Sequence, residues 1–219
     1  MMVVVIDYGL GNLRSVAAAV EKVGYQPCVS NRLEDLERAH QLILPGVGAF
    51  GDGMANLRRL GLVQLLTRLV KREGKPILGI CLGAQLMARE SEEFGRHEGL
   101  GWLEASVRRV DTAGQDLPVP HVGWNDLIRQ RESVLLDGIP PHALFYYVHS
   151  FRLVCDRSDT VVGECEYGGV FTAMVEQGNI WATQFHPEKS QLHGLTLLKN
   201  FLEKTRQNAQ ETVGHRADV

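Results

Sequence analysis

The chain has 219 residues, 22% of them charged, with a formal net charge of -3. That length suits one large domain, or at most two small ones, around a substantial buried core, and the charge balance argues against wholesale attraction to nucleic acid or anionic membranes. No uninterrupted apolar run is long enough to span a bilayer, and the start MMVVVIDYG has neither a basic region nor a cleavage site, so a cytoplasmic location is expected.

The first half alternates short apolar runs with helical spacing, which predicts βαβ units around a mainly parallel sheet. Val3–Ile6 reads as a strand. Asn12 can cap a helix with apolar Leu13, Val16, Ala17, Val20 and Val23, which Gly24 closes. Pro27 to Val29 and the Leu33–Ala39 segment form a second unit. Leu42–Leu44 is a short buried strand that stops at Pro45-Gly46, and LPGVGAFGDG (Leu44 to Gly53) reads as a glycine-rich loop. A helix follows over Leu62–Arg72, then the strand Ile77–Ile80. After Gly101 the runs are shorter and β-rich: Trp102–Val110, Leu127–Gln130, Leu144–Val148, Val161–Tyr167, Phe171–Glu176 and Ile180–Phe185. Gly168-Gly169 and Gln177-Gly178-Asn179 suit antiparallel hairpins, so this half is expected to extend the same sheet with antiparallel strands. Leu192, Leu195, Leu198, Phe201 and Leu202 mark a last amphipathic helix. Residues 1–204 are expected to form a single domain, and the polar tail 205–219 to be loosely ordered.

In a doubly wound sheet, ligands bind beyond the carboxyl ends of the strands, where the first helical turn offers unpaired N–H groups. Cys81 falls at that place in GKPILGICLGAQLM (Gly74 to Met87), flanked by Gly79 and Gly83. The pattern G-I-C-L-G has the form of a nucleophile elbow, and a helix N-terminus favours the reactive thiolate. Free cysteine is also among the most buried residue types, so packing alone is an equal reading of this segment. In WATQFHPEKS (Trp181 to Ser190), His186 lies at the end of a strand, and Glu188 can return to its side to orient the imidazole. Taken singly, the segment also fits a solvated loop. The Leu82 amide, directly after the cysteine, could donate to an oxyanion. Gly46 and Gly48 would let a second donor approach. The loop lacks the ending of a P-loop. Cys28, Cys155 and Cys165 show no CxxC spacing and fit buried thiols. The remaining histidines lack metal-ligand spacing, so neither a metal nor a cofactor is predicted.

LPGVGAF, GICLGAQL and ATQFHPEKS together resemble the class I, triad-type glutamine amidotransferases. The resemblance implies a flavodoxin-like α/β fold that hydrolyses glutamine to glutamate and ammonia through a cysteinyl thioester. Cys81 is then the nucleophile, His186 the general base and acid, and Glu188 the orienting carboxylate. Gln85 matches a glutamine-binding position. Gly46 and Gly48 match the oxyanion strand, with the Val47 amide as donor after a peptide flip. VHSF (Val148 to Phe151) matches the segment that presents the Ser150 and Phe151 backbone to substrate.

IDYGLGNLRSV, PHVGWNDL (Pro120 to Leu127) and FYYVHSF look like the glutaminase subunits of imidazole glycerol phosphate synthases, a resemblance running from Val3 to about Lys204. One departure is Ala84, where methionine is common. The implied partner is a separate (β/α)8 cyclase subunit, giving a heterodimer that receives the ammonia and makes imidazole glycerol phosphate. Asn12, Trp124, Asn125, Tyr146 and Lys189 occupy motif positions at that interface, although Trp124 and Tyr146 would by type alone suit a core. Rival readings are another Cys-His hydrolase, a non-catalytic binding module, and the glutaminase of pyridoxal phosphate synthesis. HVGWN and YGLGNLRSV weigh against the last.

Overall fold

A computed structural model of the chain describes residues 2–112 and 114–214, with side chains through Thr205. The order of the first half is β1 (Val3–Ile6), α1 (Leu13–Lys22), β2 (Pro27–Ser30), α2 (Leu33–Arg38), β3 (Gln41–Leu44), α3 (Phe50–Arg59), α4 (Leu62–Thr67), β4 (Ile77–Ile80) and α5 (Leu82–Leu86). β1, β3 and β4 are buried along their whole length, as short apolar runs covered on both faces must be. Val4, Ile6, Leu42 and Leu44 face a core shared with α2, α3 and α4, while Val3, Val5, Ile43 and Leu78 face α1 and the last helix.

Short strands follow: β5 (Glu90–Ser91), β6 (His97–Glu98), β7 (Ala105–Arg109), β8 (His121–Asp126), β9 (Ile128–Arg129), β10 (Leu144–His149), β11 (Phe151–Cys155), β12 (Val161–Glu166), β13 (Val170–Gln177) and β14 (Ile180–Thr183). The helix α6 (Gln191–Gly214) ends the described chain. The sheet runs β2-β1-β3-β4-β14-β13-β11-β7-β5-β6, with β12 and β9 attached through β13. Pairing from β2 to β14 is parallel, and β14, β13, β11 and β7 are antiparallel neighbours. The mainly parallel sheet with antiparallel extensions is the expected fold class. Among the described residues no helix is long and apolar enough to cross a membrane.

Three details differ from expectation. Leu144–His149 does not join the main sheet; it pairs with His121–Asp126 in a separate two-stranded ribbon. Phe151–Cys155 is a strand that the periodicity did not announce, since its partner β7 is distant in sequence. The glycine-rich stretch becomes a helix from Phe50. Gly51 and Gly53 are poor helix formers, and tertiary contacts compensate: the Glu93 carboxylate accepts the Phe50 N–H at 2.7 Å, while a Cβ on Gly53 would lie 3.1 Å from Leu86. α6 continues past its apolar stripe, and the side chains of the polar tail beyond Thr205 lie outside the described residues.

Candidate active site

Cys81 stands between β4 and α5 at φ 52° and ψ -110°, a conformation costly for a residue with a side chain. Its N–H is held by the Thr183 carbonyl at 2.8 Å, which ties the elbow to the end of β14. The flanking glycines are required by contact. A Cβ on Gly83 would lie 1.8 Å from the Leu44 carbonyl oxygen, and one on Gly79 would lie 2.8 Å from Ala84 Cα. Leu82 opens the helix, so its N–H has no intrahelical acceptor.

His186 Nδ1 and Glu188 Oε1 are 2.8 Å apart, and both side chains are buried. The His186 N–H donates to the Tyr146 carbonyl at 2.9 Å, and its carbonyl accepts the Ser190 hydroxyl at 2.6 Å, so the turn is anchored at both ends. Burial alone would push the imidazole toward its neutral form. The nearby charge of Cys81, reinforced by the hydrogen bond and charge of Glu188, outweighs it and holds His186 up at about 10. Among the described residues its Nε2 has no hydrogen-bond partner, so His186 and Cys81 interact through charge across a gap.

A cleft of about 420 Å³ is lined by Cys81, Leu82, Gln85, Val47, Ser150 and Phe151, together with Glu93, His149 and Lys189. Gln85 Nε2 donates to the Phe151 carbonyl at 2.8 Å and to Gln184 Oε1 at 3.1 Å, which leaves its own oxygen as the group available to a ligand. A Cβ on Gly46 would lie 2.8 Å from Gly83 N, and Gly48 sits at φ +103°, so the loop is pressed onto the elbow. Among the described residues no hydrogen bond holds the Val47 amide. The Tyr8 hydroxyl is buried beside Gly46 with no hydrogen-bond partner among the described residues, and burial, then the charge of Cys81, raises its pKa.

Behind Phe151 lies a pair of buried histidines. His149 Nδ1 is 2.9 Å from the Phe151 carbonyl, and His149 Nε2 is 3.1 Å from His121 Nδ1. Burial, then the charges of His121, His186 and Arg152, lowers His149 to about 3; burial lowers His121 to about 4. Both are therefore neutral, and the carbonyl fixes Nδ1 of His149 as the donor.

Trp124 and Tyr146 pair across the ribbon, edge to face at 6.0 Å, with Trp124 45% exposed. The Lys189 ammonium lies 5.6 Å from the Tyr146 ring. Asn12 caps α1 by accepting the Ser15 N–H at 3.3 Å, and α1 packs near the Pro187–Lys189 turn. Asn125 alternates with Trp124 along β8. Its amide donates to the Glu166 carbonyl at 3.0 Å and lies 3.4 Å from His121 Nε2.

Sequence reasoning brought together Cys81, His186, Glu188, Gln85 and the glycine loop, and passed over Gln184, His149, Tyr8 and Glu93. Gln184 had a signal: a polar residue inside a buried apolar run, two positions before His186 and so on the same side of an extended chain. Glu93 had none, because it reaches the cleft from a hairpin between distant elements.

The family description glutamine amidotransferase class-I matches residues 4–205. The chain is 46% identical to imidazole glycerol phosphate synthase subunit HisH 2 of Pseudomonas aeruginosa over 92% of its length and 99% of the relative's. It is 47% identical to subunit HisH of Aquifex aeolicus, covering 93% and 97% of the two chains. A crystal structure of a glutamine amidotransferase superposes with a TM-score of 0.68 at 25% identity, over 92% of this chain and 98% of the other.

Proposed function

Since this chain belongs to the class-I glutamine amidotransferases, we propose that it is the glutaminase subunit of an imidazole glycerol phosphate synthase, working in histidine biosynthesis. Residues 1–204 act as one amidotransferase domain in the cytoplasm. The observation that carries the reading is a buried cysteine on a strained elbow whose charge lies near enough to raise the pKa of a buried histidine, itself hydrogen-bonded to a buried glutamate.

The chemistry follows from these positions. The Cys81 thiolate attacks the side-chain carboxamide carbon of glutamine, and the developing oxyanion is met by the Leu82 and Val47 amides. His186 gives its proton to the departing nitrogen, ammonia leaves, and a cysteinyl thioester remains. His186 then takes a proton from water as the water attacks, releasing glutamate and restoring the sulfur. Glu188 keeps Nδ1 protonated and Nε2 turned to the reaction. Gln85, Gly46, Gly48 and the Ser150-Phe151 backbone hold the substrate, and the half-buried Glu93 carboxylate suits its α-ammonium group.

The exposed ribbon face of Trp124 and Tyr146, with Lys189 and Asn12 beside it and Asn125 behind it, is the docking surface for a separate (β/α)8 cyclase subunit. Cys81→Ala tests the assignment in the complex. Glutamine-dependent synthesis should vanish while ammonia-dependent synthesis persists; loss of both in a folded complex would sink this division of labour.

A further inference from the structure

We propose that Gln184 is a positioning residue for the nucleophile: its side-chain N–H is aimed at the Cys81 sulfur by hydrogen bonds whose direction starts at the Phe151 carbonyl. The inference rests on Cys81 being the attacking group. A carbonyl oxygen can only accept, so Gln85 must present its amino group to Phe151, where Nε2 donates at 2.8 Å. The second N–H of that group points to Gln184 at 3.1 Å, and only an oxygen can receive it. Gln184 therefore has its oxygen toward Gln85 and its amino group toward Cys81, where Nε2 lies 3.7 Å from Sγ. The amide has no freedom to turn over. Gln184 is 0% exposed, and its backbone N–H is held by the Ala173 carbonyl at 2.8 Å.

Cys81 Sγ has a second polar neighbour, the Val148 carbonyl oxygen at 3.8 Å. The two contacts serve opposite protonation states. A thiol can donate its S–H to Val148, whereas a thiolate gains nothing from a carbonyl oxygen and accepts from the Gln184 N–H. Gln184 thus favours the reactive form and holds the sulfur at the cleft wall. Without it the thiolate would face the Val148 carbonyl with only the His186 imidazolium to offset it.

Gln184→Met keeps length and removes the donor. A hydrogen bond to a charged group is worth about 1.5–3 kcal/mol, which corresponds to roughly 10- to 100-fold in kcat and about 1 to 2 pH units in ionisation of the sulfur. In the complex with its cyclase, glutamine-dependent kcat should fall by that factor, and by more than KM for glutamine rises, because Gln184 touches the sulfur directly and the substrate only through Gln85. On the full-length chain, the pH profile of iodoacetamide alkylation at the Cys81 peptide, followed by mass spectrometry, should move upward by about 1 to 2 units. A purely structural role would not move that profile. Gln184→Asn is the second variant in case the first fails to fold. It retains a buried amide but withdraws the donor by one methylene, and should shift both readouts in the same direction.

Normal kcat and an unmoved alkylation profile in either folded variant would overturn the proposal. Cys81→Ala run alongside separates the two levels. If it is inactive while the Gln184 variants behave as wild type, only the role of Gln184 falls; if it still hydrolyses glutamine, the nucleophile assignment falls with it.

Discussion

His149 offers a test of the buried polar chain through stability rather than turnover. It is 6% exposed, and its pKa is lowered from 6.5 to about 3, by burial first and then by its neighbours His121, His186 and Arg152. Between those two values the unfolded chain binds a proton that the native chain refuses. The stabilising neutral state is therefore fully effective above pH 6.5 and is lost as pH falls toward 3, at about 1.4 kcal/mol per unit. From pH 7.5 to 5.0 this single group removes roughly 2 kcal/mol of folding stability. His149→Gln can keep an N–H on the Phe151 carbonyl but does not titrate. Urea unfolding of the full chain at both pH values should show the variant losing about 2 kcal/mol less than the wild type, whatever its absolute stability. Because His121 is hydrogen-bonded to His149, the comparison is made with His121→Gln in both proteins, so that the neighbouring imidazole does not titrate. An identical loss in the two proteins would refute a neutral His149 buried behind the Phe151 carbonyl, and with it the tautomer assigned to the pair.

Glu188→Gln preserves shape but removes the charge that supports the His186 imidazolium, and it buries an amide group where Oε2 has no partner among the described residues. Glutamine hydrolysis in the complex should fall roughly 10²- to 10⁴-fold with KM little changed, and wild-type turnover would exclude an orienting role. Trp124→Ala should weaken binding of the cyclase by about 2 kcal/mol, roughly 30-fold in Kd by calorimetry, with the melting temperature of the isolated chain nearly constant because the ring is half exposed. Unchanged affinity would move the docking surface elsewhere. Among the described residues no hydrogen bond ties the Val47 amide, so the isolated subunit should turn over glutamine slowly and accelerate when the partner fixes the loop. Rapid hydrolysis by the subunit alone, unaltered by the cyclase, would count against that coupling.

Much of this molecule is written in local signals. The buried runs of β1, β3 and β4, the apolar stripe of α1 and the hairpin turns follow from spacing and turn chemistry, because backbone geometry imposes periods of 2 and 3.6 on any sequence with an inside and an outside. The small residues around Cys81 and the H-P-E at the end of a strand were likewise legible, and they sufficed to name nucleophile, base and orienting acid as candidates. Tertiary structure decided what depends on groups remote along the chain. Helix α3 forms through a glycine-rich stretch because Glu93, 43 residues away, takes up its first N–H. The ribbon of β8 and β10 stands apart from the main sheet because, among the described residues, its strands pair with each other alone. Gly83 must be glycine because Leu44 passes beneath it, and Gln184 reaches the sulfur of a residue 103 positions earlier with its amide oriented by a carbonyl on a third strand. Spacing reports which way a side chain faces; which partner it meets there is set only when distant strands close into one sheet.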